Sequence, residues 1–158
     1  MEEIKDAVGD KEDDKARGSD GFNANFIKVC WEIVQKYLFK MVIKSQRYEK
    51  ISGSTNSTFL VLIPKEKDAT YFNSFCPISL CNFGYKIITK IMARRLKSIM
   101  PYIIPENQGG FIKGRKIWDN IILVQEEIHS SLKNGGKGMV VKIDLANAFD
   151  RVCHSFLY

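Results

Sequence analysis

The chain has 158 residues, of which 45% are apolar and 27% are charged, and this is the size and composition of one globular domain. Its longest strongly apolar run, Phe59 to Ile63, is far shorter than the ~20 residues of a membrane-spanning helix, and the acidic N-terminus lacks the apolar stretch of a secretory signal. We therefore expect neither a membrane protein nor a collagen-like chain, a coiled-coil rod or a disulfide-rich miniprotein.

The net charge of +6 is unevenly distributed along the chain. Residues 1–20 contain eight acidic and four basic residues, a net charge of −4, which leaves +10 for residues 21–158. A basic body favours a polyanionic partner such as nucleic acid, although an ordinary soluble basic domain has the same charge.

The N-terminal third predicts helices. Residues 1–21 predict an acidic helix followed by a loop that ends in Gly18, Ser19, Asp20 and Gly21. A long helix starts near Asn23, and two adjacent apolar stripes at helical spacing predict that it is mostly buried. One stripe consists of Phe26, Cys30, Ile33, Tyr37 and Met41, and the other of Ile27, Trp31, Val34, Leu38 and Val42.

Two strands and a second long helix follow. The run from Thr58 to Ile63, closed by Pro64, predicts a buried strand, and a short strand spans Cys76 to Leu80. A helix from about Asn82 to Met100 is stopped by Pro101. Its predicted apolar face consists of Ile88, Met92, Leu96 and Ile99. A second face is basic, and it is either simply solvated or follows phosphate groups: Lys86, Lys90, Arg94 and Lys97.

The last third predicts an ordered loop over residues 101–116, rich in Pro and Gly, and then a helix from Trp118 to Lys133. The residues predicted to face inward from this helix are Ile121, Val124, Ile128 and Leu132, and Gly135 with Gly136 ends it. Met139 to Ile143 predicts a buried strand that ends at Asp144, and a helical pattern restarts from Ala146 to Leu157.

Asp144 carries the clearest chemical signal. A carboxylate directly after an apolar strand lies at the edge of a sheet, and Mg²⁺ is often held by one or two carboxylates together with substrate phosphates. Phosphoryl-transfer polymerases use two such ions. An aspartate at a strand end is also a common turn former, so this residue alone leaves both interpretations open.

The cysteines predict no metal centre. Cys30, Cys76, Cys81 and Cys153 lack the spacing of paired zinc-binding motifs, and the two histidines do not complete one. They predict free thiols in a reducing intracellular compartment, nuclear or cytoplasmic.

The run from Val141 to Val152 resembles the first catalytic motif of reverse transcriptases, most closely those of the LINE-type (non-LTR) retrotransposons abundant in plant genomes. Glu2–Phe22 resembles the N-terminal segment of the family, and further blocks follow in the family's order: Leu60–Lys65, Phe75–Asn82, Tyr85–Lys90, Ala93–Leu96, Asn107–Arg115 and Asp119–Ile121. The resemblance implies an α+β fold that is part of the right-hand polymerase fold. Residues 1–21 are then an acidic helix and loop, residues 22–137 the fingers, and residues 138–158 the first palm strand with the catalytic Asp motif.

The resemblance also implies roles for individual residues. Asp144 is a catalytic, metal-binding carboxylate, with the backbone carbonyl of Leu145 beside the same ion, and Asp150 is structural. Phe149 lies under the sugar of the incoming nucleotide, unless it is a plain core residue, and Lys65 lies near the nucleotide phosphates. The residues expected along template and primer include the basic face above and a set in the loop: Gln108, Gly109, Phe111, Gly114 and Arg115. The partners implied are an RNA template, a DNA primer and dNTPs, with Mg²⁺ in the complete enzyme, and no membrane.

The departures from the family are also informative. Cys76 stands where the family has an arginine thought to hold the triphosphate, and Cys153, Arg17 and Ser19 also differ from it. The paired-Asp hairpin and the thumb do not follow Asp144. We therefore expect a fragment that is inactive alone. The alternatives are a non-catalytic basic module that binds nucleic acid and the product of a pseudogene.

Overall fold

The computed structural model describes residues 1–135, 139–141, 143, 152, 153 and 155. The chain divides into two compact units, Met1–Ile104 and Pro105–Tyr158. The elements of the first unit are α1 (Glu2–Gly9), α2 (Ala24–Val29), α3 (Trp31–Tyr48), α4 (Gly53–Asn56), β1 (Thr58–Pro64), a 3₁₀ turn (Phe72–Ser74), β2 (Phe75–Cys81) and α5 (Phe83–Ile103). The second unit contains α6 (Ile117–Lys133).

The hydrophobic core of the first unit lies between α1, α2, α3 and α5. Its buried side chains are Ile4, Ala7 and Val8 of α1, Ala24 and Ile27 of α2, Leu38 of α3, and Phe83, Ile87 and Ile91 of α5. Residues 4, 7 and 8 have the spacing of one helix face. The acidic N-terminal helix predicted from the sequence is therefore present, and its apolar side is part of the core.

The helix predicted from Asn23 onward is two helices. The side chain of Asn23 accepts a hydrogen bond from the backbone N–H of Phe26 (2.9 Å) and caps the start of α2. Cys30, with φ −89° and ψ 18°, ends α2 and precedes α3. The long apolar pattern crosses this break because both helices pack on the same core.

The predicted burial of this segment is correct for only one of the two stripes. Leu38 is buried, and Val34 and Val42 pack against the core. In the other stripe Ile33 and Tyr37 are 70% exposed. The first unit covers α3 along one side, so Ile33 and Tyr37 face solvent, whereas Met41 of the same stripe packs against the core.

β1 and β2 form a two-stranded antiparallel sheet in which Thr58 pairs with Cys81 and Pro64 with Phe75. Both predicted strands are present. The prediction that the first is buried is wrong, because all seven residues of β1 are exposed. A hairpin of two strands has no second layer of its own to cover its apolar side chains.

α5 differs from the predicted second helix at its end and on its apolar face. The helix continues through Pro101 to Ile103, so the proline is inside the last turn rather than a stop. Of the predicted apolar face only Ile88 is buried, and Met92, Leu96 and Ile99 are about half exposed. Only the N-terminal half of α5 packs on the core, through Phe83, Ile87, Ile88 and Ile91.

In the second unit α6 matches the predicted helix, and Gly135 follows it with φ +67°. The inward positions predicted for it are wrong, because Ile121, Val124, Ile128 and Leu132 are all exposed. The buried strand predicted at residues 139–143 is also absent from the described residues there, 139–141 and 143, which are exposed without regular secondary structure. The helical pattern from Ala146 to Leu157 lies almost wholly outside the described residues.

Over the described residues no helix has the length and hydropathy needed to span a membrane. Cys30, Cys76 and Cys81 are free thiols, in agreement with the prediction.

Candidate nucleic-acid interface

The basic face of α5 is covered by the acidic side of α1. Nη2 of Arg94 lies 2.7 Å from Oδ2 of Asp10, and Nη1 lies 3.8 Å from Oδ2 of Asp6. Nζ of Lys90 lies 3.2 Å from the same oxygen of Asp10. The apolar anchors of α1 in the core thus hold its carboxylates against the cations of α5.

The contacts between cations of α5 and carboxylates lower the pKa of two carboxyl groups. Arg95 donates to both carboxylate oxygens of Glu3 (2.8 and 2.7 Å), and these hydrogen bonds lower the pKa of Glu3. Hydrogen bonds from Arg94 and then Lys90 lower the pKa of Asp10. The charged forms of α1 and α5 stabilise each other.

The other two cations of the predicted face differ from each other. Nζ of Lys86 donates to the backbone oxygen of Ala16 (2.8 Å). Lys97 is exposed, and among the described residues it has no ion-pair partner. Three of the four cations are therefore engaged within the chain. Nucleic-acid binding by this face stays a prediction.

Lys65 and Cys76 come together at the turn of the hairpin. The backbone N–H of Lys65 donates to Ser74 (2.8 Å), and its Nζ donates to the backbone oxygen of Asn73 (3.0 Å). Cys76 is paired with Ile63. Cross-strand partners share a face, so Cys76 lies on the same face as Ile63, and Lys65 follows two residues later, just past the end of β1. A thiol cannot replace the bidentate donors of a guanidinium there.

The loop before α6 is held by its own side chains. Arg115 donates through Nη1 to the backbone oxygen of Gln108 (3.0 Å) and to that of Pro105. Asn120 of α6 donates to the backbone oxygen of Asn107 (3.1 Å). Arg115, predicted to lie along template and primer, thus also fixes the shape of the loop.

Three further loop residues of the predicted interface have distinct surroundings. Gly109 is buried, and a Cβ there would lie 2.9 Å from Nδ2 of Asn120 and 3.3 Å from the backbone oxygen of Lys116, so a larger residue would require the Asn120 side chain to shift. Phe111 is fully exposed with φ +65°, and Gly114 has φ +86°. A bulky residue in the left-handed region costs ~1–3 kcal/mol and is typical of functional sites. The loop therefore presents a phenyl ring that is available for stacking on a base.

The predicted catalytic segment is not part of this geometry. Asp144, Leu145, Phe149 and Asp150 lie outside the described residues. Within the described part of the chain, no three His, Cys, Asp or Glu side chains come together to hold a metal ion. Glu126 of α6 is exposed.

A polar junction at the start of α5 is absent from the sequence prediction. Oδ2 of Asp20 accepts a hydrogen bond from the backbone N–H of Phe83 (2.7 Å) and caps the helix from 63 residues away. Asn82, only 5% exposed, accepts from the backbone of Asp20 (2.9 Å) and from Ser19 (2.8 Å), and it donates to Ser54 (2.8 Å). The junction fixes the N-terminal loop to α5.

The turn-forming run Gly18–Gly21 was the available signal for this junction. A Cβ at Gly18 would lie 2.6 Å from the backbone N of Asn82, so the loop approaches β2 and α5 as only a glycine can. The run identifies a turn, but the helix that the turn caps is set by tertiary packing.

Comparison with known proteins gives three matches. The family described as "Reverse transcriptase (RNA-dependent DNA polymerase)" matches residues 63–158. The chain is 27% identical over 157 residues to the "Transposon TX1 uncharacterized 149 kDa protein" of Xenopus laevis, covering 99% of this chain and 12% of that protein. It is 33% identical over 86 residues to the "Probable RNA-directed DNA polymerase from transposon BS" of Drosophila melanogaster, covering 53% of this chain and 10% of that protein.

The chain thus spans about a tenth of the length of these relatives. Both relatives are transposon proteins, in agreement with the predicted resemblance to retrotransposons. They come from a frog and a fly, so the particular affinity to plant elements stays a prediction.

Proposed function

Because the chain belongs to the reverse transcriptase (RNA-dependent DNA polymerase) family, we propose that it forms the fingers and the first part of the palm of a retrotransposon's RNA-directed DNA polymerase. The observation that carries this proposal is the family match over residues 63–158. That range includes β2, the loop with Phe111 and the motif around Asp144. The partners of the complete enzyme are an RNA template, a DNA primer and dNTPs.

Three places in the chain have separate parts in this proposal. Lys65 and position 76, near the connection between β1 and β2, would face the triphosphate of the nucleotide. Phe111 would stack on a template or primer base, and Asp144, with the backbone carbonyl of Leu145, would hold the divalent metal ion, Mg²⁺, that activates phosphoryl transfer. Two-metal sites stabilise the attacking and leaving oxygens of phosphoryl transfer. Phe149 contacts the sugar of the incoming nucleotide.

The exposed thiol of Cys76 supports a second candidate function. A position that lacks the family's guanidinium loses a charge-assisted contact worth ~1.5–3 kcal/mol. The chain would then be a basic module that binds nucleic acid without polymerising DNA. Both functions take place inside the cell, where free thiols such as Cys30 and Cys81 persist.

The test replaces the matching segment of an active full-length relative with residues 1–158 and measures single-nucleotide extension on an RNA template. Under the polymerase proposal, Cys76→Arg raises the dNTP efficiency of the chimaera by roughly 10- to 150-fold. Asp144→Asn abolishes extension in both versions because it removes a metal ligand.

Cys81→Arg is the matched control, because Cys81 ends β2 at the opposite end of the hairpin. It adds the same charge and should leave dNTP efficiency unchanged. A chimaera that folds and binds the primer–template but fails to extend it even with Cys76→Arg would contradict the polymerase proposal and favour the binding module.

A further inference from the structure

The solvent-facing side of α3 carries a row of cations at helical spacing. They are Lys36, Lys40, Lys44 and Arg47, and all four are exposed. At 100° per residue they fall within roughly 80° of arc, and successive members of the Lys36–Lys40–Lys44 series are separated by about 6 Å along the axis. They form one continuous basic strip, called here the α3 strip.

No ion pair in the described part of the chain involves the α3 strip. Residues 33–48 contain no Asp or Glu, and the carboxylate of Glu32, one turn before Lys36, accepts a hydrogen bond from Gln35 (3.0 Å). The ion pairs among the described residues involve Lys15, Lys28, Lys90, Arg94 and Arg95, and none involves a cation of the strip. Its charges therefore face water without a carboxylate partner.

Aromatic rings accompany the strip. Tyr37 and Tyr48 are 70% and 62% exposed. Near the C-terminal end of α3 there is a shallow groove of about 320 Å³. Its lining combines apolar and aromatic side chains with cations of the strip: Phe39, Ile43, Tyr48, Lys40, Lys44 and Arg47. A positively charged groove with exposed rings is the arrangement that single-stranded nucleic acids bind, with phosphates on the cations and bases on the rings.

The geometry points to the α3 strip as a binding surface for single-stranded nucleic acid, separate from the α5 face and from the loop with Phe111. The lysines of the strip follow one another at about 6 Å along the helix axis, so a single strand lying along α3 can place several phosphates against successive cations. The inference rests on the proposed function only in taking nucleic acid as the polyanion.

An anionic membrane is the competing partner for a basic helix, and the packing of α3 argues against it. Membrane binding requires the apolar side of the helix to insert below the lipid headgroups. Leu38, Val34, Met41 and Val42 of α3 pack on the core of the first unit, so this side is already occupied.

The test is fluorescence anisotropy of a labelled 12-nucleotide single-stranded oligonucleotide with the full chain over a series of salt concentrations. For Lys40→Gln with Lys44→Gln we expect weaker binding and a log–log salt slope shallower by about 1.4, since each phosphate contact on a single strand contributes ~0.7. Tyr48→Ala should weaken binding roughly 5-fold or more at an unchanged slope, because it removes stacking rather than charge.

The matched control is Lys5→Gln with Lys133→Gln, which changes the net charge equally at exposed positions on α1 and α6. Its slope should stay that of the unaltered chain. Equal slopes in the α3 variant and the unaltered chain, or the same reduction in the control, would overturn the inference. The inference would also be overturned if the α3 variant lost binding to phosphatidylserine vesicles but still bound the oligonucleotide as the unaltered chain does. Circular dichroism checks that each variant is folded. Because oligonucleotide binding is measured without primer extension, this test can fail or succeed independently of the test of the proposed function.

Discussion

The basic faces of α5 and α3 have similar densities of lysine and arginine along their helices, but the fold gives them different surroundings. On α5, Lys90 and Arg94 contact Asp10, the residue after α1, and Lys86 contacts Ala16 in the loop that follows. On α3 the four cations are exposed, and none of them is in an ion pair among the described residues. Helical spacing identifies a basic face, but whether that face is available for a polyanion depends on which residues are packed against it.

The largest expected effect is the loss of stability when a core side chain beneath the contact between α1 and α5 is removed. Ile87 of α5 is fully buried at 0% exposure in the cluster that contains Ala7 of α1. Ile87→Ala should lower the free energy of unfolding by about 2–5 kcal/mol, through lost apolar contacts and the cavity left behind. Urea unfolding monitored by tryptophan fluorescence measures the change.

Met92→Ala is the matched control for this substitution, because Met92 lies on the same helix and is 55% exposed. Its effect should stay within about 1 kcal/mol, as expected for a surface position. Equal losses for the two variants would contradict the assignment of the core to the N-terminal half of α5.

The next largest effect should come from removing the carboxylates that cover α5. Asp6→Asn with Asp10→Asn leaves Arg94 and Lys90 without their ion-pair partners. Oligonucleotide binding should then gain about one to two phosphate contacts, and its salt slope should steepen by ~0.7 for each. Anisotropy titrations of the kind used for the α3 strip measure this slope.

A control variant separates the effect of net charge on the salt slope from the effect of exposing the α5 cations. Glu12→Gln with Asp14→Asn changes the charge by the same amount, and Glu12 pairs with Lys15 rather than with α5. This control should leave the slope unchanged. An equal steepening in both variants would mean that the α5 cations were already accessible.

Local patterns in the sequence were sufficient for most element positions. The hairpin strands, α5 and α6 lie close to where alternation, helical period and turn residues predict them. Burial was predicted less well, since β1 and α6 are apolar but exposed. Periodicity identifies a face that favours burial, but the partner that covers it belongs to tertiary structure.

In the candidate site, too, local motifs could be predicted from the sequence, whereas tertiary contacts could not. The loop glycines and Phe111 could be singled out from the resemblance because they are local motifs. The pairing of Arg94 with Asp6 and the capping of α5 by Asp20 join residues 88 and 63 positions apart. No local pattern encodes those contacts, so the sequence predicted an open α5 face and gave no reason to prefer α3.

The smallest expected effect is in the pH dependence of stability, to which the carboxyl groups paired with α5 contribute. The pKa of Glu3 is lowered by hydrogen bonds from Arg95, and that of Asp10 by hydrogen bonds from Arg94 and Lys90. A carboxyl group whose pKa is lower in the folded than in the unfolded state adds stability above the unfolded pKa, ~4.3 for Glu and ~3.9 for Asp. That stability is lost as the pH falls through the folded pKa.

The urea midpoint of the unaltered chain should therefore fall between pH 5 and pH 3, and by less in Glu3→Gln with Asp10→Asn. The difference should be small because both carboxylates are more than a third exposed, where solvent screens ion pairs. Substituting Lys40→Gln with Lys44→Gln on α3 should leave this pH dependence unchanged, because no ion pair among the described residues involves the α3 strip. Identical pH dependence of the urea midpoint with and without Glu3 and Asp10 would show that the α1–α5 ion pairs do not stabilise the fold.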